Sequence, residues 1–396
     1  MNPIFSPYLS RLARNGLIDD GQALLGLADA EVEWSAPDHP DRSALSPLFD
    51  SLPINALIFA RPAEPYRTIM DYLAKTSVGP ITPNDCETRT FLHDLPVAES
   101  LTAEALIPLL KQRKCAIVEN HGIVACGTVS LEQPLVTISS ACFACFVKFF
   151  SDFLAARTSG NPSREQQAVF ETIAARLPDP VKAKPYSLAQ GPFLSDADAR
   201  AAICEAGAQV VNLGLVDSFF GNISYLANSI LHISQTGAFL DDLADTIDPV
   251  PLNGSSCAGI TASSELSAHL AILRQTGRRA ILHGHPKFSV IMSMQCDRPD
   301  CPDQGNCHRC CPHERFVCDV PVVSGEVGTG PHGLCRTVPP AFSGHSGVIV
   351  YGHGVFTIGD ADFNDALDNL IDIERRCRLG ITKILKYHIR NNDNVI

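Results

Sequence analysis

Basic residues are scarce in this sequence. Lys and Arg number 31 against 43 Asp and Glu, which gives a formal net charge of −12 over 396 residues. No basic stripe is present that could follow a phosphate backbone, and the N-terminus lacks the uninterrupted apolar stretch of a secretory signal. We therefore expect a cytoplasmic protein that does not bind nucleic acid.

The sequence also lacks an apolar run of the kind that crosses a membrane. Its longest apolar stretch, residues 134–156, contains Lys148 and Asp152, and a membrane span rarely tolerates such charges. We expect a packed helix here and no membrane partner. The hydrophobic content of 45% over 396 residues is instead enough for two globular domains.

Two pairs of segments indicate an internal repeat. Residues 57–62 (LIFARP) align with 281–286 (ILHGHP), and residues 116–127 (AIVENHGIVACG) align with 348–359 (VIVYGHGVFTIG). Each segment is typical of a short buried strand and is followed by a helical pattern. We predict two related domains in tandem, each an α/β layered fold.

A polar, proline-containing stretch separates the two halves and is typical of a linker. We place the first domain at residues 1–158 and the second at residues 193–396. The linker, 159–192, should contain a short helix near 164–176.

Candidate metal ligands are concentrated in the second half. His283 and His285 end a predicted strand, and side chains two apart in a strand project to the same face, where both can bind one ion. His353 is the candidate third ligand, because it follows another apolar strand and glycines on both sides leave room for close approach. A His-x-His pair alone is weak evidence for a metal site.

Other motifs accompany these histidines. In chain order they are 221–224 (GNIS), 234–237 (SQTG), 263–265 (SSE), 283–286 (HGHP) and 352–354 (GHG). Together they resemble the class II aldolase and adducin family, of the L-fuculose-phosphate aldolase type, over residues 193–380. The resemblance implies a three-layer α/β/α fold.

The resemblance also implies roles for individual residues. His283, His285 and His353 would hold a catalytic divalent metal, with Zn²⁺ as the default, although cobalt, nickel, iron or manganese also suit imidazole ligands. Glu265 would move a proton at the carbon beside the coordinated carbonyl. His269, one helical turn later, is expected to support the site or to pack rather than to bind the metal.

The substrate implied by the resemblance is a small sugar phosphate. Its phosphate would be bound by glycine-containing turns and a helix start, where backbone N–H groups and hydroxyls are available. The corresponding residues here are Asn222, Thr236, Gly237, Ser263 and Ser264. Because Phe219 and Phe220 make the first turn apolar, a related hydroxy-ketone without phosphate stays open.

The implied reaction is aldol cleavage or condensation through a metal-stabilised enediolate. A dehydratase, an epimerase or a decarboxylase on the same metal site is the alternative. A non-catalytic, adducin-like protein, or a metal- or redox-sensing protein built on the cysteines, is the second alternative.

The first half departs from the motifs, because Phe59 and Arg61 replace the paired histidines and only His121 of the three ligands remains. We expect a degenerate copy with a structural or interface role. Since the family forms symmetric rings with active sites between subunits, the resemblance also implies a homo-oligomer.

A cysteine-rich segment, residues 296–318, is not predicted by the resemblance. Its prolines, glycine and charges favour an irregular loop. A loop of this length usually needs a cross-link to hold it or has a function of its own. Cys301, Cys307, Cys310 and Cys318 are candidate ligands for a second, structural zinc ion or for an iron–sulfur cluster. Free thiols are the alternative.

Overall fold

The computed structural model describes residues 3–160, 162–177, 186–217, 220–255, 260–298 and 300–392, with side chains up to residue 384. The chain divides into two compact units, Met1–Pro178 and Asp179–Ile396. The helix predicted in the linker forms at Arg164–Ala174 and falls within the first unit.

The first unit alternates helices and strands. In chain order these are α1 Ser6–Arg14, β1 Ile18–Ala28, β2 Val32–Trp34, α2 Arg42–Leu45, α3 Pro47–Ser51, β3 Ala56–Pro62, α4 Tyr66–Thr76, α5 Cys86–Leu92, β4 Val97–Ala98, α6 Ala103–Leu110, β5 Cys115–Val118, β6 Gly122–Gly127, α7 Glu132–Thr158 and α8 Arg164–Ala174.

These strands form one mixed sheet in the order β2-β1-β3-β6-β5-β4, and only β4 and β5 run parallel among its described pairs. Helices cover both faces. Leu45, Leu48 and Leu106 of α2, α3 and α6 pack with the strand residues Leu57 and Val124 on one face, and α4 and α7 pack on the other.

Helix α7 is the packed helix that the apolar stretch predicts. It is long and apolar enough to cross a membrane, but 89% of its most apolar window is buried inside the protein. Part of this burial comes from α8, because the Phe170 ring stacks on Phe153 with ring centroids 4.5 Å apart. The helix is therefore a core element of its unit.

We expect the Phe153→Ala substitution to lower the free energy of unfolding of the first unit by about 3–5 kcal/mol, since it opens a cavity where a fully buried ring was. Urea unfolding followed by circular dichroism measures the loss. Val129→Ala is the matched control, because Val129 is 74% exposed and its truncation should change stability by less than about 0.5 kcal/mol. Equal effects of the two substitutions would contradict this account of α7.

The second unit has the same alternation. In chain order it contains α9 Asp196–Asn212, β7 Asn222–Ala227, β8 Ile230–Ser234, β9 Ile247–Pro251, α10 Leu266–Thr276, β10 Ala280–Gly284, α11 Lys287–Met294, β11 Arg315–Val317, β12 Val320–Val323, α12 Leu334–Ala341, β13 Gly347–Val350, β14 Gly354–Gly359 and α13 Asn364–Asn392.

Its sheet has the order β11-β12-β13-β14-β10-β7-β8-β9. Helices α10 and α12 pack on one face, where Ile272 and Val338 meet Ile281 and Phe356. On the opposite face α13 crosses the strands, and Ile373 fills the space beside Gly347. Both units therefore have helices on the two faces of a sheet, which confirms the predicted α/β fold.

The two sheets share strand order, strand direction and register. Order β8-β7-β10-β14-β13-β12 of the second unit matches β2-β1-β3-β6-β5-β4 of the first. Ala56 pairs with Gly127 as Ala280 pairs with Gly359, so the two aligned segment pairs of the repeat fall in the same register. This agreement supports a duplication, although the tandem repeat itself stays a prediction.

Candidate metal centre

The carboxyl end of β10 brings two histidines to one place. Strand alternation puts Ile281 and His283 on the same face of the sheet, and His283 lies between its cross-strand neighbours Asn222 and Phe356. His285 follows directly after the strand, and its Nε2 lies 3.1 Å from Nε2 of His283. Both imidazoles are buried, at 1% and 2% exposure.

The third histidine comes from a tight turn. The sequence pattern predicts one strand over residues 348–359, but the chain folds there into the hairpin of β13 and β14, with His353 in the turn. A Cβ on Gly354 would lie 2.5 Å from the carbonyl oxygen of Gly284 and 2.8 Å from Cε1 of His283. Glycine is therefore required where the turn meets the histidine pair.

Glu265 faces these histidines from the start of α10, where it occupies the N-cap position. Its Oε2 lies 3.3 Å from Nε2 of His283, and its Oε1 lies 3.1 Å from Nε2 of His353. The carboxylate is 4% exposed. One buried carboxylate therefore contacts two of the three imidazoles.

A buried hydrogen-bonded chain holds Glu265 from behind. The Asn222 amide donates to Oε2 of Glu265 at 2.7 Å, and its carbonyl oxygen accepts from Nε2 of His269. Nδ1 of the same imidazole lies 2.6 Å from the Ser224 hydroxyl. Since Asn222 needs a donor at its oxygen to present its amide to Glu265, His269 fixes the orientation of Asn222.

The electrostatics favour neutral imidazoles beside an ionised carboxylate. Burial lowers the pKa of His283 to about 4 and that of His269 to about 3, and it lowers the pKa of His285 well below the ordinary value. Burial alone would raise the pKa of Glu265, but His283, His353 and the Asn222 amide outweigh it and hold that pKa below its ordinary value. Neutral imidazole is the form that binds metal ions.

The donor set fits a metal ion. Nδ1 of His283 donates to the Val355 carbonyl oxygen at 3.1 Å, which leaves the Nε2 lone pair directed at His285. Nδ1 of His285 is buried without a hydrogen-bond partner. The ligand atoms of the three histidines lie within 4.8 Å of one another, and tetrahedral bonds of about 2.0–2.1 Å require nitrogens roughly 3.3 Å apart. Among the described residues, this is the one such cluster.

Comparison with known families agrees with this geometry. Residues 201–381 match the family model of the Class II Aldolase and Adducin N-terminal domain. The match contains every histidine and carboxylate of the centre and confirms, for the second half of the chain, the family resemblance that the motifs indicated. It does not extend into the first unit.

Solved structures that are similar to this chain cover about half of it. L-fuculose-1-phosphate aldolase from Thermus thermophilus is 24% identical with a TM-score of 0.39, over 48% of this chain and 97% of that chain. YgbL from Klebsiella pneumoniae, described as a candidate aldolase/epimerase/decarboxylase, is 25% identical with a TM-score of 0.37, over 48% and 91%. The comparison with curated proteins finds no significant match.

The five residues expected to bind phosphate fall into two groups, one exposed and one buried. Thr236, Gly237 and Ser264 are exposed, although the Thr236 hydroxyl donates to the Ala262 carbonyl oxygen at 3.0 Å. Asn222 and Ser263 are instead buried. Of these two, Asn222 is engaged with Glu265, and the Ser263 hydroxyl accepts from the Glu265 backbone N–H at 3.2 Å.

The apolar turn before β7 has a role that sequence reasoning missed. The Phe220 ring stacks on the His285 imidazole with ring centroids 5.5 Å apart and planes 7° apart. Phe219 lies outside the described residues. The sequence signal for this contact is an aromatic residue beside the glycine that allows close approach, since a Cβ on Gly221 would lie 2.4 Å from the His283 carbonyl oxygen.

The four cysteines proposed as a second metal site do not converge. The predicted irregular loop is present at residues 296–298 and 300–314, but residues 315–317 form β11 instead. Cys307 is buried with its sulfur 3.9 Å from the Asp303 carbonyl oxygen. Cys318 lies in the turn between β11 and β12 and faces α13. Neither the zinc nor the iron–sulfur alternative has a preformed ligand set among the described residues.

The corresponding positions of the first unit lack this chemistry. By strand register, Leu24 stands where the second unit has Asn222, and Phe59 stands where it has His283. Arg61 donates through Nε to the His121 carbonyl oxygen at 3.3 Å, and His121 is exposed. In the described part of this unit, no group of metal-ligating side chains converges.

We expect His269→Ala to destabilise the second unit by about 1–3 kcal/mol, because it leaves the Asn222 oxygen and the Ser224 hydroxyl buried without their partner. Metal content should stay at the wild-type level, since His269 contacts none of the three ligands through a polar atom in the described structure. Denaturant unfolding together with metal analysis checks both statements. Loss of the metal with unchanged stability would assign His269 to the ligand set instead.

Proposed function

We propose that the second unit is a metal-dependent lyase that catalyses aldol cleavage or condensation of a small ketose phosphate or a related hydroxy-ketone. The observation that carries the proposal is a buried carboxylate, Glu265, within 3.3 Å of two imidazoles that belong to one convergent histidine triad. A ligand triad with an acid–base group beside it is the minimum that such chemistry needs.

His283, His285 and His353 would hold the divalent ion, and three protein ligands leave coordination positions for a substrate. Bound there, the ion would supply Lewis-acid polarisation of a substrate carbonyl and charge stabilisation after carbon–carbon cleavage. Zn²⁺ is the first candidate for three imidazole ligands, and other first-row divalent ions also suit them.

Glu265 would take and return the proton at the carbon beside the carbonyl. The Asn222 amide and the His269 imidazole hold the carboxylate in one orientation, so it stays directed at the histidine triad. Its low exposure keeps bulk water from competing for the proton. Deprotonation beside a carbonyl is common to aldolases, epimerases and some dehydratases, so product analysis must distinguish these reactions.

The exposed residues Thr236, Gly237 and Ser264 are the candidates for the substrate's phosphate, and Ser263 and Asn222 would act through Glu265. We further propose that the first unit has a structural or interface role, and that the protein is a cytoplasmic homo-oligomer that needs no membrane or nucleic acid partner.

A coupled assay tests the function. Purified protein reconstituted with Zn²⁺ is incubated with a panel of ketose 1-phosphates and with their unphosphorylated counterparts, and the release of an aldehyde and a three-carbon ketone is followed. We expect cleavage that a chelator abolishes and that Zn²⁺ restores. Chelator-sensitive formation of an epimer or of a decarboxylated product, without cleavage, would replace the aldolase assignment by the corresponding alternative.

A further inference from the structure

Two cysteines outside the histidine site lie against each other in the second unit. Cys318 is in the two-residue turn between β11 and β12, and Cys377 is in the middle of α13. The thiols of the two residues form a side-chain hydrogen bond. No disulfide links the described cysteines, so this is a pair of free thiols.

The backbone at Cys318 is unusual for a cysteine. Cys318 and Asp319 have φ values of 49° and 66°, and a two-residue hairpin turn with two positive φ values strongly favours Asn, Asp or Gly. Cysteine at the first position is strained by comparison, and such strain persists where the surroundings hold it. Here Arg376 of α13 donates to the Cys318 carbonyl oxygen and holds the turn against the helix.

The two residues differ in burial. Cys318 is partly exposed, whereas Cys377 is 0% exposed. A Cβ on Gly380 would come within 3.8 Å of the Cys318 sulfur, which places that sulfur over α13 within one turn of Cys377. Cys318 is thus the more exposed residue of the pair, and we expect an oxidant to react there before it reaches Cys377.

The groups around the pair shift the pKa values of the two thiols in opposite directions. The hydrogen bond from Cys377 lowers the pKa of Cys318 to about 6, burial opposes it, Arg376 and Lys383 add to the lowering, and Asp319 opposes it. The same hydrogen bond, burial and Glu374 raise the pKa of Cys377, and only Ser289 works against them. These opposite shifts favour the thiolate at Cys318 and the protonated thiol at Cys377.

We propose that Cys318 and Cys377 form a peroxide-reactive thiol pair that closes reversibly to a disulfide. The Cys318 thiolate attacks one oxygen of hydrogen peroxide, the O–O bond breaks, and hydroxide leaves and is protonated to water. The Cys318 sulfenic acid is then attacked by the Cys377 sulfur, the S–O bond breaks, and the Cys377 proton leaves with the hydroxide as a second water. Two thiols are oxidised and one peroxide is reduced.

The position of the pair gives this oxidation a structural consequence. One turn before Cys377, Glu374 accepts hydrogen bonds from the backbone N–H groups of Phe288 and Ser289. These residues lie in the first turn of α11, which begins at Lys287 just after His285 and Pro286. The disulfide would join the cysteine-rich segment to α13, the helix whose Glu374 binds the start of α11. Formation of this disulfide does not require the metal.

Peptide mapping of the full-length protein tests the pair. Iodoacetamide labelling across pH should give Cys318 a half-maximal rate near pH 6, about 2.5 units below an ordinary thiol at about 8.5, with Cys377 unlabelled until the protein unfolds. One equivalent of hydrogen peroxide should then yield a Cys318–Cys377 disulfide that dithiothreitol reverses. In Cys377→Ser, dimedone should trap the sulfenic acid on Cys318.

Cys335→Ser is the matched control, because Cys335 is a partly exposed thiol of the same unit, and the variant should form the disulfide at the wild-type rate. The wild-type mapping needs no substitution, so a variant that fails to fold leaves the test intact. The proposal is overturned if Cys318 labels with a midpoint near pH 8.5, or if peroxide oxidises other cysteines without forming this disulfide.

Discussion

Replacing Glu265 by glutamine is expected to leave the metal bound and to lower kcat by about 10²–10⁴-fold, the range for removal of a positioned general acid or base. Glutamine keeps the size of the side chain, and its carbonyl oxygen can still accept from the Asn222 amide, which donates to Glu265 at 2.7 Å. It cannot take a proton from carbon. The direct readout is deuterium exchange from solvent into the substrate at the carbon beside the carbonyl.

The control for this substitution is Glu314→Gln. Glu314 belongs to the same unit and is exposed, and its variant should exchange deuterium at the wild-type rate. Wild-type exchange in Glu265→Gln would remove Glu265 from acid–base chemistry. Loss of the metal in that variant would instead indicate that the carboxylate is itself a ligand.

A second experiment compares His353 with His121, the histidine at the corresponding position of the first unit. His353→Ala should weaken metal binding by more than about 100-fold, beyond the 10–100-fold that follows from disturbing groups behind metal ligands. His121 occupies the same register in the first unit but is exposed and bonds through Nδ1 to the Glu119 carbonyl oxygen. His121→Ala should therefore bind metal and turn over substrate as the wild type does.

Titration with Zn²⁺ in the presence of a competing chromophoric chelator measures both affinities. A loss of affinity in His121→Ala as large as that in His353→Ala would mean that the first unit contributes a ligand. Unchanged affinity in both variants would move the metal away from the histidine triad.

The features that could be predicted from the sequence are those set by residue type and by spacing over a few residues. Strand alternation places His283 and His285 together, and glycine beside His353 signals a close approach, so the triad is predictable from residue type and spacing. Lys148 and Asp152 within the apolar stretch predict that α7 packs inside the protein rather than in a membrane. The shared register of β3 with β6 and of β10 with β14 also follows from the aligned segments.

The features that could not be predicted from the sequence depend on contacts between segments that are distant along the chain. Asn222 is expected from its turn to bind phosphate, but its position beside β10 directs its amide to Glu265. Ser263 is likewise expected to bind phosphate, yet it is buried and its hydroxyl accepts from the backbone N–H of Glu265, the N-cap residue of α10. Proximity of cysteines along the chain does not bring their sulfurs together, because the β11–β12 turn directs Cys318 to α13.

X-ray absorption spectroscopy of the zinc-loaded, full-length protein tests the central claim most directly. The histidine site predicts an inner shell of nitrogen and oxygen at about 2.0–2.1 Å with the outer-shell scattering of imidazole rings, and this shell should disappear in a His283→Ala, His285→Ala variant. An inner shell dominated by sulfur at about 2.3 Å, unchanged in that variant, would place the metal in the cysteine-rich segment and contradict the account.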